Sequence, residues 1–159
     1  MSLARGTYQT TADFIAESFN AAPPKSQSMW LTGPLKVEVR KIMGHDLASL
    51  RLRYWGEPGR TVWVLEEIGK EKPITFGVVI EQDRIELIKV LAFRESRGDE
   101  IRYPFFTKQF DGLGLNEKRR LDGVVDGISG ATLSVRAMKK IARLALYLHQ
   151  QSKYADVAS

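Results

Sequence analysis

Between Leu50 and Phe93 the chain runs through four apolar segments of strand period, separated by turn residues. Leu50, Leu52 and Tyr54 alternate with Arg51, Arg53 and Trp55, which describes a strand with one wet face. Gly56-Glu57-Pro58-Gly59 turns the chain, and Thr61 to Ile68 follows as the second strand of an antiparallel hairpin. Gly69 to Pro73 turns it again. Ile74 to Glu81 is the most apolar segment, and Gln82-Asp83 leads into Ile85 to Phe93 as a second hairpin. The expectation is an α+β fold: an antiparallel sheet of at least four strands with helices before and after it.

The flanking helices are legible from their ends. Thr10 or Thr11 can cap a short helix whose apolar side is Phe14, Ile15 and Phe19, and Ala21-Ala22-Pro23-Pro24 breaks it. Met29-Trp30-Leu31 is a brief apolar run. Thr32-Gly33-Pro34 reads as a cap with proline in the first turn, Leu35, Val39, Ile42 and Met43 keep helical spacing, and Gly44 ends the helix. At the other end Leu133, Ala137, Met138, Ile141, Leu144, Ala145 and Leu148 form one stripe, with Lys139, Lys140 and Arg143 mostly opposite. The tail after Leu148 is polar and is expected to fray.

The 159 residues suffice for one domain spanning residues 1–159 with a real core. With no cysteine, thiol catalysis, disulfides and thiolate metal sites are excluded. The net charge of +5 is modest, and without clustering among aromatics it predicts no nucleic-acid partner. No apolar run reaches the ~18 residues of a membrane span. Met1-Ser2-Leu3 has the form of an expression scar, compatible with a leader removed.

Asp126-Gly127-Ile128-Ser129-Gly130-Ala131-Thr132 delivers the chain into the last helix. A helix N-terminus presents free N–H groups and the positive end of the dipole, and small residues let a phosphate approach them. Local physics therefore offers two readings: an anion site beside the hydroxyls of Ser129 and Thr132, or ordinary capping by those hydroxyls. Asp126 before Gly127 likewise suits an Asx-turn.

Asp-x-x-Ser-Gly-Ala-Thr before an amphipathic helix resembles the flavinylation motif of the FMN-binding domain family. That family includes the C subunit of the sodium-pumping NADH:quinone reductase and the G subunit of the Rnf complex. The resemblance is strongest over residues 74–148. It implies FMN as cofactor, joined through its phosphate to Thr132 by a flavin transferase that uses FAD as donor. Asp126 is then the motif acid, and Ser129, Gly130, Ala131 and Leu133 surround the attachment point. It also implies an electron carrier in the periplasm or another extracytoplasmic space, with a membrane or soluble redox partner. The family has a Glu-containing, Gly-ended turn where this chain has Glu95-Ser96-Arg97-Gly98, often with Thr-Pro in place of Ser96-Arg97. Those four residues are therefore further cofactor candidates, and Arg97 can reach a flavin carbonyl or a phosphodiester.

The rest of the chain supplies no catalytic constellation. Glu66 and Glu67 point to opposite strand faces and cannot act together. His45-Asp46 reads as a loop pair, and His149 as a helix-end residue whose cation suits the dipole. Neither has a second ligand at metal spacing, so no metal site is expected. Tyr103, Phe105, Phe106 and Phe110 read as core, with stacking on a flavin the less common use. Two other functions compete with a covalent flavin carrier: a module holding FMN or another phosphorylated ligand noncovalently, and a basic adaptor domain.

Overall fold

The computed structural model describes residues 6–155; Met1-Ser2-Leu3 and the last four residues lie outside them. Helix α1 (Thr11–Glu17) precedes strand β1 (Gln27–Trp30) and helix α2 (Gly33–Met43). Four long strands follow: β2 (Arg51–Glu57), β3 (Arg60–Ile68), β4 (Pro73–Glu81) and β5 (Arg84–Ala92). Short helical turns lead through α3 (Pro104–Thr107), and α4 (Thr132–Gln151) closes the fold. The five strands pair antiparallel in the order β1-β2-β3-β4-β5, a simple meander. The expected α+β architecture is observed, with one strand more than the four that the sequence reveals. Strand β1 carries no strand period of its own because it is a short edge: of its four residues Met29 alone is buried, and Trp30 points to solvent.

Two helix ends follow the sequence, at Thr10 and at Gly44. Thr10 accepts a hydrogen bond from the Asp13 amide at 3.1 Å, and Gly44 ends α2 in the left-handed conformation at φ 81°. Thr32 begins α2 without a side-chain cap, leaving Pro34 to set the first turn.

Alternation along the strands sorts residues between two helical layers. Trp63, Leu65, Phe76, Val78 and Ile80 face α4 and α2 in the larger core cluster. Val62, Val79 and Leu91 face α1, which lays Phe14, Ile15 and Phe19 on them. Strand β4 is covered on both faces, which is why its sequence is almost continuously apolar. Gly77 makes that second layer possible, since a Cβ there would lie 2.5 Å from the Phe14 ring. Phe106 and Phe110 are fully buried and meet edge to face at 5.6 Å, whereas Tyr103 and Phe105 are exposed.

Helix α4 runs three residues beyond the expected end, and this corrects two expectations. His149 is wholly buried rather than at a wet helix end: its Nδ1 lies 2.6 Å from Thr61 Oγ1, and its Nε2 lies 3.3 Å from Asp83. The Trp63 indole N–H donates to the same Thr61 oxygen at 2.7 Å, so the helix end is stitched to β3. Nor does the tail fray through its described length. The Tyr154 carbonyl accepts from the Gly59 amide at 2.9 Å, and its ring packs edge-on to Tyr54, over the bare face of Gly56. Among the described residues no helix is long and apolar enough to cross a membrane.

Candidate functional site

The turn before α4 is built as its residues demand. The Ala131 amide donates to the Ile128 carbonyl at 3.0 Å, closing a four-residue turn, and Gly130 sits in its third position at φ 84°. Only glycine takes that conformation without strain. A Cβ at Gly130 would meet nothing within 4 Å, so the space before the helix is open.

The capping reading is not what the structure shows. The residue at the N-cap is Ala131, with no side-chain cap hydrogen bond. Val135 is the first amide bonded back into the helix, to Ala131 at 3.0 Å. Among the described residues the amides of Thr132, Leu133 and Ser134 find no acceptor. Thr132 itself is exposed at the first helical position, and its hydroxyl makes no hydrogen bond among the described residues. The helix thus presents an uncapped N-terminus with a free hydroxyl on it.

Asp126 is positioned through its backbone rather than through an Asx-turn. Its amide donates to Gln109 Oε1 at 2.9 Å, and its carbonyl accepts from Gln109 Nε2 at 3.2 Å. Its carboxylate makes no hydrogen bond or ion pair among the described residues and lines neither cavity beside Thr132. Ser129, exposed on the turn, also stays outside both linings.

The loop after β5 reaches the same place from the other side. Arg94 is a bracket: its Nη1 donates to the Pro73 carbonyl at 2.7 Å and to Thr75 Oγ1 at 3.1 Å. Glu95 Oε1 accepts from the amides of Glu71, at 2.6 Å, and Lys72, clamping the turn between β3 and β4. Those two backbone donors hold its carboxyl below the usual carboxylate range. Gly98, at φ 95°, lies directly against α4: a Cβ there would come 2.4 Å from the Ser134 Oγ. The loop is therefore seated on the first turn of the helix. Arg97 is exposed and makes no ion pair or hydrogen bond among the described residues.

These contacts create a cavity of about 320 Å³. Glu95, Ser96, Arg97 and Gly98 line one side, and Gly130, Ala131, Thr132 and Leu133 the other. The structure thus brings together eight of the ten residues chosen from sequence. It adds Lys70, which the Glu95 clamp carries in on the β3–β4 turn, and Ser134. Lys70 left no local signal, because Glu95, which clamps the turn carrying it, lies some two dozen residues away in the chain. An adjoining cavity of about 730 Å³ shares Glu95 and Ser96 and extends the cleft toward Tyr8. None of Tyr103, Phe105, Phe106 or Phe110 lines these cavities, so the aromatic cluster is core and surface, not a stacking platform here.

A separate cavity of about 610 Å³ opens on the other side of Thr132, under a row of cations on α4. Close by, Glu67 is buried on the α4 face of β3. Its carboxylate is 2.9 Å from His45 Nε2 and 3.6 Å from Lys140. His45 is more than the loop pair expected: Nδ1 donates to the Asp46 carbonyl at 2.9 Å while Nε2 engages Glu67. The Asp46 carbonyl, followed by Glu67, raises its pKa above the ordinary histidine value. Glu66, as expected, is separate, accepting from Thr75 at 3.1 Å.

The donor set at the smaller cavity fits a phosphorylated cofactor: free amides and a hydroxyl at a helix entrance, two cations and an open approach. The family model of the FMN-binding domain matches residues 69–147, from the β3–β4 turn into α4. That span contains every residue lining the smaller cavity. Among the curated proteins compared, none matches the chain.

Proposed function

This chain belongs to the FMN-binding domain family through residues 69–147, its cofactor is FMN, and on that premise we propose that it carries FMN covalently on Thr132 as an electron-transfer domain. The observation that supports this reading is the exposed, hydrogen-bond-free Thr132 hydroxyl at an uncapped helix entrance. A capping threonine would need its oxygen for the helix; this one is available as a nucleophile. In the attachment step the Thr132 oxygen bonds to the FMN phosphorus of FAD, the bond to the AMP half breaks and AMP leaves. The hydroxyl proton passes to a base on the flavin transferase.

FMN supplies reversible one- and two-electron chemistry when bound. The chain's own residues hold and tune it. The amides of Thr132, Leu133 and Ser134, without acceptors among the described residues, would hold the remaining phosphodiester charge, an interaction of typically ~0.3–1 kcal/mol at an exposed helix end. That is too weak to retain a cofactor by itself, so a covalent tether matters. Arg97 and Lys70 add positive charge on the opposite wall, and Gly98 keeps that wall against the helix. Glu95 acts through backbone: its clamp fixes the turn carrying Lys70. Asp126 organises the approach to the turn or assists a metal ion during attachment.

The same reading places the domain outside the cytoplasm, where a tether prevents loss of cofactor, with a membrane or soluble redox partner and no nucleic acid. The larger cavity's cations support the last point: they border aliphatic residues with no aromatic side chain among them, unlike a base-stacking surface. The test is co-expression with a flavin transferase and fluorescence of the denatured band. Wild type should fluoresce and Thr132→Ala should not; a fluorescent Thr132→Ala band contradicts the assignment.

A further inference from the structure

Apart from Thr132, the larger cavity shares no residue with the proposed flavin cleft, yet it has the makings of a site. Its volume of about 610 Å³ lies within the usual range for small-molecule pockets. Ile42, Val125, Ile128 and Val135 give it an aliphatic wall. Arg120, Arg136, Lys139, Lys140 and Arg143 border the same space.

The charges there are out of balance. Lys140 is engaged by Glu67 at 3.6 Å, and Arg143 Nε donates to the Arg119 carbonyl at 3.0 Å. The charged groups of Arg120, Arg136 and Lys139 make no hydrogen bond or ion pair among the described residues. Of the carboxylates around it, Glu67 is held by His45 and Lys140, Glu38 by Arg119 and Asp122 by Arg84, while Asp126, between Val125 and Gly127, is absent from the lining, which carries five cationic side chains and no carboxylate. Burial first, and then the charge of Arg120, push the Arg143 pKa down. On a flat surface such cations would simply be solvated. Here they ring a concavity with an apolar wall, where an anion that also brings apolar surface gains from both.

We propose that this cavity is a second ligand site, distinct from the flavin cleft, for a small amphipathic anion: an apolar body against Ile42, Val125, Ile128 and Val135, and a carboxylate, sulfonate or phosphate among Arg120, Arg136 and Lys139. This rests on the flavin lying in the smaller cavity. Thr132 lines both spaces, so the ligand sits immediately beside the cofactor tether. The signal was present in the sequence as Arg136, Lys139, Lys140 and Arg143 at helical spacing, and it reads there as a wet face; only the fold shows that the face borders a cavity.

The probe is anilinonaphthalene sulfonate, measured by equilibrium dialysis against the full chain with and without flavin, beside its uncharged analogue phenylnaphthylamine. The sulfonate should bind one per chain in both forms. An Arg136→Ala/Lys139→Ala double variant with unchanged thermal unfolding should lose about tenfold in affinity, while the uncharged analogue is unaffected. Absence of one-to-one binding in both forms, or equal affinity in the double variant, overturns the proposal. Binding to the unloaded chain that vanishes on flavin loading also overturns it, and separately shows that the flavin occupies this cavity. If inorganic sulfate binds as well as the sulfonate probe, and a hexaglutamate peptide binds more tightly, the face recognises acidic protein and no small-molecule site exists.

Discussion

Replacing Gly98 by alanine probes the joint on which the proposed flavin site depends. Two costs arise. At φ 95° an L-residue is strained, by about 1–3 kcal/mol. The new Cβ would also lie 2.4 Å from the Ser134 Oγ, which must move. Ser134 is buried, so its hydroxyl can rotate only at some expense, although a rotating hydroxyl gives way more easily than backbone. Together these predict a loss of about 2–3 kcal/mol. With a urea slope of about 2 kcal/mol/M for a domain of this size, the midpoint should fall by about 1 M. Equilibrium urea unfolding measures it. Combining Gly98→Ala with Ser134→Ala removes the obstructing oxygen and should restore the steric part alone, leaving the backbone strain. Flavin labelling of Gly98→Ala should also slow, because the loop can no longer rest on the helix entrance. A Gly98→Ala protein with wild-type midpoint and labelling would refute the contact and with it the two-sided cleft.

Other perturbations separate roles within the site. Thr132→Ala should leave stability within about 0.5 kcal/mol of wild type in urea unfolding, since the hydroxyl caps nothing and alanine favours a helix. In flavin-loaded protein, Arg97→Ala should lower the midpoint potential by the equivalent of about 1 kcal/mol or less without reducing loading, because a cation near the ring favours the anionic reduced form; redox titration in one buffer decides it. Because the His45 pKa is raised in the fold, its contribution to stability is complete below the unfolded value near 6.5 and is lost as pH rises through the folded value. Unfolding free energy measured on either side of neutrality should therefore decline with pH in wild type and flatten in His45→Ala.

What could be read from the chain and what could not divides along locality. Strands β2 to β5 were visible because each carries period two between strong turn residues, and Gly44 announced the end of α2. Strand β1 was invisible because pairing with β2, through Met29 opposite Leu52, gives it structure that its own residues barely encode. In the site, Thr132 and its turn came from a contiguous motif. Glu95 was selected from a loop resemblance, but its observed work is to clamp the Glu71 and Lys72 amides, a contact no local pattern encodes. The same holds for Lys70, and for His149, whose neighbours Thr61 and Asp83 sit on other elements. Capping by Ser129 or Thr132 was good local chemistry that the backbone at Ala131 declines, with ψ 28° placing no side-chain oxygen over the helix end.

Intact mass of the denatured chain after co-expression with a flavin transferase, followed by fragmentation of the peptide that contains the turn, decides whether a flavin is joined to Thr132. The chain should gain the mass of one FMN less one water, located on Thr132. An unmodified chain that releases its flavin on denaturation, or an adduct on Ser129 instead, would contradict it.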